Sequence, residues 1–118
     1  MKFLFILNDP PYGTERSYNA LRLAREILKD PAAGNEAKVF LMGDAASCAK
    51  AGQKVPAGYY NIEAMLKSVT VRKGEVGVCG TCLDARGISE PELAEGCHRG
   101  SMAELAMWSL WADRAMVF

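Results

Sequence analysis

The chain lacks an excess of charge of either sign, and it lacks any apolar run of membrane-spanning length. Its 118 residues carry 14 basic and 14 acidic side chains. This balance excludes the long-range positive field on which binding to nucleic acids and membrane surfaces depends, so we expect neither partner. The apolar run at residues 3–7 is too short for a signal peptide or a membrane span, which predicts a cytoplasmic protein.

The sequence also lacks internal repeats, low-complexity segments and linkers. Half of the residues are hydrophobic. A chain of this length and composition fits one compact domain over residues 1–118, which would bury roughly two thirds of its unfolded surface.

Strand-like and helix-like segments alternate along the chain, as is typical of a parallel sheet with helices on both faces. Apolar and β-branched runs predict strands at residues 2–8, 37–42, 75–78 and 114–118. Apolar periodicity predicts helices at residues 15–29, 45–51, 62–72 and 102–112. Thr14 is a candidate cap for the first helix, and Ser101 with Glu104 forms a capping box for the last. The predicted fold class is therefore α/β, with three layers.

The strongest chemical signal is a pair of cysteines, Cys79 and Cys82, placed directly after the third predicted strand. The pKa of a thiol falls beside a cation, at a helix N-terminus or within a Cys-x-x-Cys pair. Arg86 follows four residues after Cys82 and is a candidate cation for the site. Cys48 and Cys97 stand alone in the sequence, and we expect both to be small buried hydrophobic residues.

Several small or polar residues follow the strand ends and form a candidate binding pocket. The carboxyl ends of parallel strands lie at one edge of a sheet, where ligands bind. Backbone amides at the following helix start would hold an anion, for which an anionic sulfur group is suitable. Gly80 would allow the close approach of a partner or a left-handed turn, and Thr81 would donate a hydrogen bond to sulfur. The predicted pocket residues are Asn8, Tyr12, Gly13, Thr14, Gly43, Asp44, Gly80 and Thr81.

Taken together, these motifs resemble the DsrE/TusD-like small sulfur-transfer proteins of the DsrEFH group. The resemblance covers nearly the whole chain, and its order and spacing carry it: Pro11 to Thr14, Gly43-Asp44, Cys79 eight residues before Gly87, and Asp113-Arg114 leading to Phe118. It implies a flavodoxin-like parallel sheet and a persulfide carried on the cysteine that matches Cys79. It also implies sulfur donors and acceptors as partners, a homo-oligomer such as a trimer or hexamer, and no cofactor.

One feature departs from the sulfur-relay protein TusD, which has no counterpart of Cys82. This second thiol can attack a persulfide on Cys79, closing a disulfide and releasing sulfide, or the two can hold a trisulfide. Relay and reductive release therefore both remain open, as do an enzyme with turnover and a stoichiometric carrier.

Other functions compete with this interpretation. A zinc site could draw on Cys79, Cys82, Cys97 and His98, but adjacent Cys97 and His98 have poor geometry for it, so we expect no metal. A thioredoxin-like thiol–disulfide oxidoreductase also uses Cys-x-x-Cys, but no tryptophan precedes Cys79 and no strong helix is predicted after Cys82. A non-catalytic anion-binding module, with an incidental cysteine pair, is a third alternative.

The last predicted helix is apolar nearly all round, which exceeds what one sheet face can cover. We expect some of its side chains to pack in the core and the others to contact a second subunit. The apolar residues are Met102, Leu105, Met107, Trp108, Leu110 and Trp111. Tyr59 and Tyr60, in the preceding loop region of the chain, could join that surface or cover the core edge.

Overall fold

The fold is built on a parallel β-sheet, seen in a computed structural model that describes residues 1–57 and 60–118. Within these residues the sheet has five strands in the order β4-β3-β2-β1-β5, and every neighbouring pair is parallel. The strands are β1 (Lys2–Leu7), β2 (Glu36–Leu41), β3 (Glu75–Cys79), β4 (Cys97–Gly100) and β5 (Arg114–Val117). The helices are α1 (Arg16–Ile27), α2 (Ile62–Thr70), α3 (Gly80–Ala85) and α4 (Met102–Trp111), with 3-10 helices at Pro31–Ala33, Gly43–Ala49 and Glu90–Glu92.

Helices cover both faces of the sheet, so the predicted three-layer α/β architecture is confirmed. Phe5 and Leu7 of β1 point into the larger core, which contains Leu21 of α1 and Leu66 of α2. Leu4 of β1 points to the opposite face. This smaller core consists of Leu4, Phe40, Cys79, Leu105 and Trp108. Burial on both faces explains why β1 and β2 are nearly continuous apolar runs rather than alternating ones.

Two predicted helix starts have different outcomes. Ser101 caps α4 as expected, with its Oγ accepting from the Glu104 amide at 3.2 Å. The prediction that Thr14 caps the first helix is wrong, because α1 begins at Arg16 after Glu15, whose side chain makes no cap hydrogen bond. The Thr14 hydroxyl instead donates to the Asp9 carboxylate at 2.8 Å.

Two elements around the cysteines were absent from the prediction. Strand β4 pairs with β3, placing Gly100 beside Cys79 in the register. Its sequence, Cys-His-Arg-Gly, has neither apolar alternation nor β-branched residues, because an edge strand covered on one side tolerates polar side chains. Helix α3 starts directly after Cys79, and its six residues are too few for a periodic apolar signal.

Helix α4 has buried and exposed apolar side chains, and the contact of the exposed ones with a second subunit stays a prediction. Leu105 and Trp108 are buried in the smaller core, whereas Met102, Met107 and Leu110 are exposed. Tyr60 stacks on Tyr18 with ring centroids 4.1 Å apart, so it covers the core edge; Tyr59 lies outside the described residues. In the part of the chain that the structure describes, no helix is long and apolar enough to cross a membrane.

Candidate thiol site at the carboxyl edge of the sheet

Cys79 and Cys82 form a thiol pair at the carboxyl edge of the sheet. Cys79 is the last residue of β3 and also the N-cap of α3, so the turn into α3 places Cys82 one turn later on the same side. Their Sγ atoms lie 2.6 Å apart, with the Cys82 thiol donating to Cys79. Only 9% of the Cys79 surface is exposed. Little movement therefore separates this dithiol from a disulfide.

Hydrogen bonds to sulfur differ between the two cysteines. Cys79 Sγ accepts from the Cys82 amide at 3.4 Å and lies 3.3 Å from the Thr81 hydroxyl. Cys82 Sγ accepts from the amide of Gly43, in the turn after β2, at 3.2 Å. Gly43 adopts a φ of +55°, a left-handed conformation that glycine reaches without steric cost, and this turn aims its amide at the sulfur.

These contacts separate the acidities of the two thiols. Burial raises the pKa of Cys79, but hydrogen bonds from Cys82 and Thr81 outweigh it and hold that pKa below its usual range. Burial raises the pKa of Cys82, and donation to Cys79 raises it further, against the opposing Gly43 amide and the Arg86 charge. Of the pair, Cys79 is thus the more readily ionised and the better nucleophile at neutral pH.

Arg86 lies beside Cys82. Its Nε and Nη2 donate to Asp44 Oδ1 at 3.2 and 2.5 Å, and its Nη1 donates to the Cys82 carbonyl at 3.1 Å. The structure therefore brings Arg86 and Asp44 to the site, as expected from the sequence. The charge of Arg86 lowers the pKa of Cys82, whereas the role expected for Arg86 is to stabilise the Cys79 thiolate.

Arg99 is a second arginine at the site, and the sequence pattern did not indicate it. Arg99 of β4 donates from Nη1 and Nη2 to the two carboxylate oxygens of Asp84, each at 2.8 Å. Its guanidinium packs on Gly80, where a Cβ atom would lie 2.8 Å from Arg99 Cζ. The left-handed turn expected at Gly80 is wrong, because Gly80 lies in α3 without a positive φ, and the close approach of a partner stays a prediction. Arg99 could have been found only by predicting β4.

The first loop makes its contacts elsewhere. Tyr12 Oη accepts from the Ile62 amide at 3.2 Å, Gly13 is an exposed turn residue with a φ of +104°, and the Thr14 hydroxyl binds Asp9. Asn8 Nδ2 donates to the Phe118 carbonyl at 3.2 Å. The structure therefore gathers Gly43, Asp44, Gly80 and Thr81 at the thiols, and the part of Asn8, Tyr12, Gly13 and Thr14 in binding stays a prediction.

The remaining cysteines and the histidine lie apart from the thiol pair. Cys48 and Cys97 belong to or pack on the larger core, and burial raises the pKa of each to about 12. His98 Nε2 lies 2.7 and 2.9 Å from the two carboxylate oxygens of Glu104. Among residues 1–57 and 60–118, no three His, Cys, Asp or Glu side chains are grouped so as to hold a metal ion.

The fold and the site define a small parallel α/β protein with a thiol pair at the carboxyl end of its third strand. The model of the DsrE/DsrF-like family matches residues 1–118, so the chain belongs to this family and the resemblance seen in the sequence is confirmed. Family membership indicates a role of the sulfur-relay type.

Relatives support this assignment over the full length. The chain is 40% identical to protein YchN of Escherichia coli K12 over 117 residues, covering 99% of this chain and 98% of YchN. It is 36% identical to the uncharacterized protein MJ0989 of Methanocaldococcus jannaschii over 118 residues, covering both chains completely.

Solved structures share the fold. The crystal structure of YchN from Escherichia coli superposes with a TM-score of 0.91 at 40% identity, covering 100% of this chain and 99% of YchN. The protein of unknown function MTH1491 from Methanobacterium thermoautotrophicum has a TM-score of 0.69 at 11% identity, covering 99% of this chain and 98% of its own. The second match shows the fold alone.

Proposed function

We propose that the protein binds sulfane sulfur as a persulfide on Cys79 and transfers or releases it with the help of Cys82. The observation that carries this proposal is the separation of the two thiols into a more acidic Cys79 and a less acidic Cys82 at an Sγ–Sγ distance of 2.6 Å. A sulfur acceptor needs a thiolate at ambient pH, and a second thiol held as a proton donor keeps that thiolate available.

Loading begins with the Cys79 thiolate and a donor persulfide. The thiolate attacks the outer sulfur of the donor, a new S–S bond forms on Cys79, and the donor's own S–S bond breaks. The donor leaves as a thiolate, and Cys79 carries the outer sulfur as a persulfide. The low exposure of Cys79 favours donors whose terminal sulfur protrudes, such as small persulfides or a persulfide on a projecting protein loop.

The loaded sulfur has two outcomes. In relay, an acceptor thiolate attacks the outer sulfur, takes it as a new persulfide and restores the Cys79 thiolate. In release, Cys82 loses its proton and attacks Cys79 Sγ, so a Cys79–Cys82 disulfide forms and hydrosulfide leaves. An external dithiol reductant then returns the pair to two thiols and is itself oxidised to a disulfide. The short Sγ–Sγ distance favours release whenever no acceptor is present.

The partners we propose are sulfur donors and acceptors, together with further copies of this chain. Met102, Met107 and Leu110 leave an apolar strip on the outer side of α4, and Leu110 is 89% exposed. Exposed strips of large apolar side chains are typical of subunit contacts. We infer a homo-oligomer joined through this strip, as expected of the family.

Intact mass spectrometry after incubation with a persulfide donor tests the loading step. Wild-type protein is compared with Cys79→Ser and Cys82→Ser, and Cys97→Ser is the control because its thiol lies on the opposite face of the sheet. We expect Cys82→Ser to gain one sulfur, Cys79→Ser to gain none and Cys97→Ser to behave as the wild type. Sulfur loading that persists in Cys79→Ser would refute the assignment.

The same experiment separates relay from release. Sulfide production with loss of two hydrogens from the wild-type protein, absent from Cys82→Ser, would establish release through the disulfide. Stable sulfur on the wild-type protein, passed to an added thiol, would establish relay.

Thiol–disulfide exchange is a second candidate function, favoured by the 2.6 Å Sγ–Sγ distance and by α3, which starts directly after Cys79. Reduction of insulin disulfides at a rate that depends on both cysteines, without sulfur loading from the persulfide donor, would favour it.

A further inference from the structure

Two arginines approach the thiol pair from different elements. Arg86, at the end of α3, binds the Cys82 carbonyl and the Asp44 carboxylate. Arg99 arrives from β4, the strand beside β3, one residue before Gly100, which is paired with Cys79. Arg86 therefore contacts the backbone of Cys82, and Arg99 packs on Gly80, the residue after Cys79.

Asp84 and Gly80 hold Arg99 in place. The fork of two hydrogen bonds to Asp84, both 2.8 Å, fixes the plane of the guanidinium. Gly80, directly after Cys79, lacks the side chain that would collide with Arg99 Nε and Cζ, each 2.8 Å from a Cβ at this position. The backbone next to the nucleophilic thiol thus lies directly under a positive charge.

We propose that the two arginines act on different sulfurs: Arg99 is the positioning residue that stabilises the Cys79 thiolate, and Arg86 acts on Cys82. The inference rests on the proposed function only where it names Cys79 as the sulfur-accepting thiol. The pKa of Arg99 is raised mainly by its hydrogen bonds to Asp84, and the charge of Cys79 makes the smallest contribution. The charge of Arg86, in turn, lowers the pKa of Cys82.

Other charged groups surround Cys79 and must be held constant in any test. From α3 come Cys82, Asp84 and Arg86, and from β4 come His98 and Arg99. Asp44 binds Arg86 from the 3-10 helix after β2. Glu104 of α4 reaches the sheet above Gly100, where a Cβ would lie 2.7 Å from its Oε1, and it is paired with His98. Changing Arg99 to a neutral residue removes both guanidinium hydrogen-bond donors from Asp84, so Arg99→Gln is also measured together with Asp84→Asn, and we expect the double variant to keep the upward shift of the Cys79 midpoint.

The test measures the pH dependence of Cys79 alkylation by iodoacetamide, followed by peptide mass spectrometry. All variants carry Cys82→Ser, so that one thiol of the pair titrates. We expect Arg99→Gln to move the midpoint to higher pH and to slow alkylation below the midpoint by about threefold or more. Arg99→Lys keeps the charge but loses the paired hydrogen bonds to Asp84, so its midpoint should fall between those of the Cys82→Ser parent and Arg99→Gln.

Two further variants make the test specific. Gly80→Ala keeps both arginines but pushes the Arg99 guanidinium away, and we expect a midpoint shift in the same direction. The control is Arg72→Gln, at the opposite end of the sheet, and its midpoint should match that of the Cys82→Ser parent. Arg86→Gln should shift the midpoint of Cys79 less than Arg99→Gln does.

An unchanged midpoint in Arg99→Gln, or a larger shift in Arg86→Gln, would overturn the inference. Urea unfolding of each variant checks that the fold is retained, which we expect because the Arg99 side chain is 39% exposed. The outcome is independent of the loading experiment. A midpoint shift without sulfur loading in any protein would reject the proposed function and leave the role of Arg99 standing.

Discussion

The buried thiol of Cys48 makes the stability of this protein fall at alkaline pH. Its side chain is 1% exposed, and its thiol donates to the Asp9 carbonyl at 3.6 Å. Burial raises the pKa of Cys48 from 9.0 to about 12 in the folded chain, despite an opposing hydrogen bond from Ser17. Between these two values the folded state keeps a proton that the unfolded state has lost, so stability falls as the pH rises.

The size of this effect follows from the gap between the two pKa values. A gap from 9.0 to about 12 corresponds to about 4 kcal/mol of unfolding free energy. Stability is unaffected by Cys48 below about pH 9, and it falls by about 1.4 kcal/mol per pH unit above it. By about pH 10.5 the loss reaches about 2 kcal/mol, a substantial part of the stability of a small domain.

Urea unfolding of the wild-type protein and Cys48→Ala, between about pH 8 and pH 10.5, measures this loss. At the lower pH we expect Cys48→Ala to be less stable by about 1–2 kcal/mol, because it removes a buried sulfur. At the higher pH the two proteins should be about equal in stability. The other titratable groups are present in both proteins, so their contributions largely cancel in the difference. A difference in unfolding free energy that stays constant over this range would refute the reasoning.

Two further predictions concern the site and the assembly. Thr81→Val should slow alkylation of Cys79 near neutral pH, because it removes the hydroxyl 3.3 Å from that sulfur. Thr81→Ser keeps a hydroxyl and should match the wild type. Equal alkylation rates for the two variants would contradict this prediction. Leu110→Lys should reduce the mass of the assembly, measured by light scattering coupled to size-exclusion chromatography, because Leu110 is 89% exposed on the apolar strip of α4. Arg72→Gln, the control, should leave the mass unchanged. An unchanged mass for Leu110→Lys would place the subunit contact elsewhere.

Much of the fold could be predicted because its central strands are buried on both faces. The continuous apolar run of β1 and the shorter one of β2 permit little other than central parallel strands. Helix α2 showed its buried face through Ile62, Met65, Leu66 and Val69. Thr14 misled the prediction because a threonine near a helix start can bind a carboxylate in the preceding loop as readily as a helix amide.

The thiol site could be predicted in part. The Cys-x-x-Cys spacing after a strand was sufficient to identify Cys79 and Cys82, since reactive thiols depend on a local turn that the sequence displays. The wider pocket could not be predicted from the sequence. Residues that follow different strands lie at the same edge of the sheet, but they need not contact one another. Tyr12 and Thr14 bind α2 and Asp9, whereas Gly43 alone among the turns after β1 and β2 donates to a sulfur.

By itself, the sequence determined the α/β class, the central strands and the thiol pair, because burial periodicity and a four-residue turn are local properties. Only the tertiary structure decided which charge meets which sulfur. Arg99 is 20 residues from Cys79 in the sequence, and the pairing of β3 with β4 brings it onto Gly80, the residue after Cys79. This edge pairing of polar residues leaves no apolar pattern in the sequence. Arg86, one turn from Cys82, was visible in the sequence because the i to i+4 spacing of a helix brings the two together.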